Sequence, residues 1–93
     1  MLEVFREAND AVVTYRKARE TAALRVTLRD AALKYVELAQ VQYRGGSINY
    51  IDVLDAQRRY FDAQIGLSNA VRDEHLALVQ LYKSLGGGWQ TGE

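Results

Sequence analysis

The side chains able to do chemistry in this chain of 93 residues are few, and their spacing says what they can do. Asp52 and Asp55 stand at i and i+3, so a helix would place both carboxylates on one face. Paired carboxylates can hold a divalent cation or exchange protons. They also fall where a helix is expected to begin, and there the helix dipole alone favours acids. His75 is the single histidine, and a ligand or general base needs partners that no spacing supplies, so a surface or structural role is expected. Arg44, Arg58 and Arg59 could form a small basic patch. The simpler expectation pairs Arg58 and Arg59 with Asp55 and Asp62 at i, i+3 or i, i+4. Six tyrosines could stack on nucleic-acid bases, but their helical spacing suits a core or an interface better. The segment GGSIN at 45–49 lacks the downstream Gly-Lys and the preceding strand of a phosphate loop. There is no cysteine, and no serine stands in register with the histidine. Inward-facing Glu-x-x-His pairs, which a carboxylate metalloenzyme on a four-helix bundle would use, are missing. No catalytic, cofactor or metal site is expected, and the chain is read as a non-enzyme.

Composition narrows the class further. With 12 basic and 12 acidic residues the chain is formally neutral, which argues against a nucleic-acid partner or an acidic membrane surface. A hydrophobic share of 48% rules out disorder driven by charge. No apolar run approaches the roughly 18 residues of a membrane span, and Met1–Asp10 carries no signal-peptide pattern. Proline is absent, so nothing interrupts long helices.

Glycine marks the breaks. None occurs in 1–44, then Gly45-Gly46 appear together, and Gly86–Gly88 close the second segment. Between the breaks apolar residues step by three and four: Phe5, Ala8, Val12, Tyr15 and Leu28, Ala31, Tyr35, Leu38 in the first segment. In the second, Tyr50, Val53, Gln57, Tyr60, Gln64, Leu67, Val71, Glu74, Leu78, Leu81 and Leu85 keep a heptad seam. Leu54, Phe61, Ile65, Val79 and Tyr82 form a second row beside it. The expected fold is all-α, an antiparallel two-helix coiled-coil hairpin in one unit. It has a helix over about 3–43, a tip at 44–48, a helix over about 49–85 and a Gly-rich tail at 86–93. Ser47 or Asn49 can cap the second helix, with Asp52 completing a capping box from Asn49. Trp89 is expected to act as a packing anchor. One partner helix cannot cover two apolar rows, and the alanines of the first segment permit close side-by-side packing. The chain is therefore expected to self-associate, as a dimer or larger helical bundle when isolated.

The run YRGGSINYIDVLDAQRRY at 43–60, with LYKSLGGGW at 81–89, resembles the C-terminal helical hairpin of the outer membrane efflux protein family, the TolC/OprM-like channels. The similarity extends over essentially the whole chain but covers only the last part of such a channel. It implies the tip of the periplasmic α-helical barrel in a trimeric channel of a Gram-negative outer membrane, serving type I secretion or multidrug efflux. On that resemblance Arg44, Gly45, Gly46, Ser47 and Ile48 belong to the surface that docks a periplasmic adaptor (membrane fusion) protein and, through it, an inner-membrane pump. Asp52 and Asp55 match the acidic rings of the channel entrance, and Tyr43 matches the aromatic before the tip that holds the inner helices to their neighbours. Ile48 stands where some members carry a basic residue. The expectation is an excerpt of an efflux channel, without a leader, barrel strands or the companion hairpin. The alternative is a stand-alone coiled-coil hairpin that works as a protein-interaction module.

Overall fold

A computed structural model describes the backbone of residues 2–90 and the side chains of residue 3 and residues 5–86. It contains two α-helices, α1 (Leu2–Arg44) and α2 (Tyr50–Gln90), joined by a five-residue tip into an antiparallel hairpin. Without proline, and with α1 free of glycine, neither helix meets an obligatory break. Two compact units are present. Residues 23–69 hold the end of α1, the tip and the start of α2; the other unit joins α1 up to residue 22 with α2 from residue 70.

Local chemistry fixes the tip. Gly46 adopts φ 80°, a left-handed conformation that side chains disfavour. The Ser47 amide donates to the Gln42 carbonyl at 2.9 Å, and the Gly46 amide to the Tyr43 carbonyl at 3.0 Å. These two bonds are the Schellman termination, which satisfies carbonyls that α1 would otherwise leave open. Gly45 stays on the negative side of φ, so only one of the two glycines is conformationally required. Across the turn the Asn49 amide donates to Asp52 Oδ2 at 3.3 Å, the acid half of the expected capping box. Ile48, just before that cap, packs against a cluster of Val36, Ala39, Val53 and Ala56. An apolar residue ahead of the cap meeting Val53 four residues beyond it is a hydrophobic staple.

The packing seam is made of small residues. In the 23–69 unit α1 contributes half-buried Ala32 with buried Val36 and Ala39, and α2 contributes Val53, Ala56, Tyr60, Ala63 and Leu67. In the other unit the sunken positions include Ala8, Ala11, Tyr15, Ala18 and Ala22 on α1, and Ala70, Glu74, Ala77, Leu81 and Ser84 on α2. Within each group the steps are three and four, the heptad spacing. The fully sequestered hydrophobic positions among the described residues are alanine or valine throughout. Such side chains bring helix axes close but contribute only about 0.8 kcal/mol per buried methylene-sized group.

This corrects the expected seam of α2. Val53, Tyr60, Leu67, Glu74 and Leu81 do face inward, but their companions are Ala56, Ala63, Ala70, Ala77 and Ser84. The expected companions Gln57, Gln64, Val71 and Leu85 are exposed, and Leu78 is only half-buried beside Ala77. Two 3-4 repeats offset by one residue share half their members, and close approach favours the one carrying small side chains. On α1 the rows through Val12 and through Leu28, Ala31, Tyr35 and Leu38 lie exposed, with only Ala8 and Tyr15 of those residues half-buried. The second row of α2 is solvent-facing as expected: Leu54, Phe61, Ile65, Val79 and Tyr82 are all exposed. Gly66 makes room for an arginine, since a Cβ there would lie 3.2 Å from Arg25 Nη1 and 3.6 Å from its Cζ.

At its far end α2 does not stop after Leu85, as the glycine cluster led one to expect, but continues through Gly86–Gly88 to Gln90. Glycine permits a stop without forcing one, and each costs about 1 kcal/mol relative to alanine inside a helix. The tail after residue 90 and the anchoring expected of Trp89 lie outside the described residues.

Candidate functional site at the hairpin tip

The tip residues are held rather than loose. Tyr43, near the end of α1, and Tyr50, opening α2, bring their rings to 5.2 Å between centroids at 59°. Tilted aromatic pairs at that distance attract edge to face, so the two helix ends are tied across the turn. Arg44, Gly45, Gly46 and Ser47 are exposed around this tie, whereas Ile48 is half-buried and packs onto the hairpin core. A Cβ built on Gly46 meets nothing within 4 Å, so the tip surface is open there. Ile51 is 75% exposed, the most exposed large apolar side chain among the described residues.

The acids divide into two roles. Asp52 closes the cap through the Asn49 amide. Asp55 is engaged by its own helix: Arg58 Nη2 lies 3.3 Å from Oδ1, and Arg59 Nε 3.0 Å from Oδ2. The expected pairing of one arginine with Asp62 does not form, because both guanidinium groups turn back to Asp55. Arg59 also sits over the Tyr35 ring of α1, 5.9 Å from its centroid, within reach of a cation–π attraction. Intrahelical pairing was legible from spacing; the Tyr35 contact was not, because only the hairpin register brings the two residues together.

No group of three or more His, Cys, Asp or Glu side chains converges among the described residues, and His75 is exposed. In the other unit a shallow depression is lined by Glu7, Asp10, Ala11, Thr14, Gln80 and Ser84. Among the described residues no helix is long and apolar enough to cross a membrane. The site offers a hydrogen-bonded turn, an ion-paired flank and exposed apolar rows.

Comparison with known proteins gives the family. The family described as outer membrane efflux protein matches residues 1–87. The solvent efflux pump outer membrane protein SrpC of Pseudomonas putida is 38% identical over 89 residues, covering 96% of this chain. Outer membrane protein OprJ of Pseudomonas aeruginosa is 37% identical over 89 residues, covering 95%. The toluene efflux pump outer membrane protein TtgC of Pseudomonas putida is 36% identical over 91 residues, covering 96%. The chain spans only 19% of the length of SrpC and TtgC and 18% of OprJ. No solved structure matches.

Proposed function

The chain belongs to the outer membrane efflux protein family, and from that premise we propose that it is the tip-forming periplasmic hairpin of a trimeric efflux channel. It forms part of the conduit, lines the entrance and docks the periplasmic adaptor through which an inner-membrane pump is engaged. No bond is made or broken. The observation that carries this reading is the tip itself: a Schellman end, an Asn49 amide capped by Asp52 and an aromatic tie, all built around residues 42–52. A surface that must meet another protein gains affinity when it is ordered beforehand, because less conformational entropy is lost on binding.

The exposed rows support the assembly part of the proposal. Leu54, Phe61 and Ile65 on α2 and Leu24, Leu28 and Leu38 on α1 leave apolar surface that one hairpin cannot cover. Copies packed side by side around an axis would cover it. In that arrangement Asp52 and Asp55 recur around the entrance, and Arg44, Gly45, Gly46 and Ser47 point to the adaptor.

The test places a photo-crosslinking residue at Ser47 in the full-length channel that carries this hairpin, with His75 as a control position. Cross-links to the periplasmic adaptor from 47 but not from 75 are expected. Cross-links at neither position, in a channel that exports normally, would remove the docking assignment and favour an interaction module with another partner.

A further inference from the structure

Asp55, placed at the entrance by its resemblance to an acidic ring, is not a free carboxylate in this hairpin. Both of its oxygens are taken, Oδ1 by Arg58 and Oδ2 by Arg59. Arg58 is held at one end only. Arg59 is held twice, because its guanidinium also rests over Tyr35 from the facing helix. Tyr35 is exposed where the seam leaves the flank of α1 open, so its ring serves as a shelf at the right height for the arginine. With Asp52 engaged by the Asn49 amide, two acids and two arginines leave residues 50–60 of α2 without net formal charge.

We infer that Arg59, shelved on Tyr35, is a positioning residue that keeps Asp55 ion-paired and so suppresses cation capture on the tip-proximal flank of α2. The inference rests on the entrance reading above for its functional meaning, but its physical content concerns this hairpin alone. Two properties separate Arg59 from an ordinary surface ion pair, which is worth little because long side chains wander. The ring restricts the guanidinium, and the i, i+4 spacing with the acid N-terminal to the base is the favourable orientation. A cation approaching Asp55 must compete with a positive charge already 3.0 Å away. Removing one such charge should tighten binding of a divalent cation about fivefold, the size of its solvent-screened repulsion from a unit charge at about 8 Å.

The measurement uses Mn2+ as probe and the amide signals of residues 50–62 as reporters, on the full chain. Paramagnetic broadening around Asp55 should begin at about fivefold lower Mn2+ in Arg59→Gln than in the unaltered chain. Arg59→Lys should restore most of the protection, and Tyr35→Leu, which keeps every charge, should lose part of it. Asp55→Asn should abolish the gain seen in Arg59→Gln. Far-UV circular dichroism checks that each variant stays helical, which the exposure of Arg59 and Tyr35 leads one to expect. Equal broadening in Arg59→Gln and the unaltered chain overturns the inference, as does a Tyr35→Leu variant as protected as the unaltered chain. A companion measurement separates this from the entrance reading: Mg2+ block of the full-length channel, with and without Arg59→Gln. If Mn2+ capture rises but channel block does not change, the positioning role of Arg59 stands and the entrance assignment of Asp55 fails.

Discussion

Replacing Gly46 separates strain from the proposed docking, because the two effects depend differently on side-chain size. At φ 80° any L side chain is strained, at about 1–2 kcal/mol. The Cβ position is open, with nothing within 4 Å, so a larger side chain adds no clash to that strain. Gly46→Ala and Gly46→Trp should therefore cost the same stability. At about 4–8 °C per kcal/mol for a domain of this size, both should melt roughly 5–15 °C lower. Gly46→Asn should melt closer to the parent, since asparagine tolerates the left-handed region. Melts followed by circular dichroism at one fixed protein concentration give these values. Export should behave differently. On the docking proposal, Gly46→Trp in the full-length channel should abolish drug export and adaptor cross-linking while trimers still insert, because the indole would project from the surface proposed to meet the adaptor. Gly46→Ala, equally strained but small, should keep most of the export. Melting points that fall steadily from Ala to Trp would show that the tip is not open at residue 46. Equal loss of export in both variants would make strain, not obstructed docking, the cause.

The seam and its flanks yield three further tests. Ala56 is fully buried in a cluster with Val36, Ala39 and Val53, so Ala56→Leu should destabilise the hairpin by about 1–3 kcal/mol through overpacking, measured by urea titration; an unchanged midpoint would contradict the close approach of the helices. The exposed rows should drive the chain to self-associate in sedimentation equilibrium, and Phe61→Lys should shift it toward monomer without loss of helicity, whereas a parent that stays monomeric at high micromolar concentration would sink the assembly argument. Gly66→Leu should cost more than His75→Ala in thermal melts, because the leucine would enter the space held by Arg25 while His75 is exposed; the reverse ranking would mean the register around Gly66 is wrong.

The two helices, the place where the chain turns and the family were all legible before any coordinates. Absence of proline, the Gly45-Gly46 pair and the Asn49–Asp52 cap are local features, and local hydrogen bonding acts on them before any distant contact forms. The pairing of Asp55 with Arg58 and Arg59 belongs to the same class, since i, i+3 and i, i+4 neighbours meet on any helix. Which of two overlapping heptads faces inward was settled only by the packing of one helix on the other. Periodicity favours the row with the larger apolar side chains, through Val71, Leu78 and Leu85. The hairpin instead buries Ala56, Ala70 and Ala77, because close contact between two helices rewards small side chains. Most of the bulky ones are left on the outside, available to a neighbour. The same register put Arg25 against Gly66 and Arg59 over Tyr35. Each of these pairs joins residues far apart in sequence, and their meeting depends on how far one helix slides along the other. That is a property of the packed pair, which neither helix specifies alone.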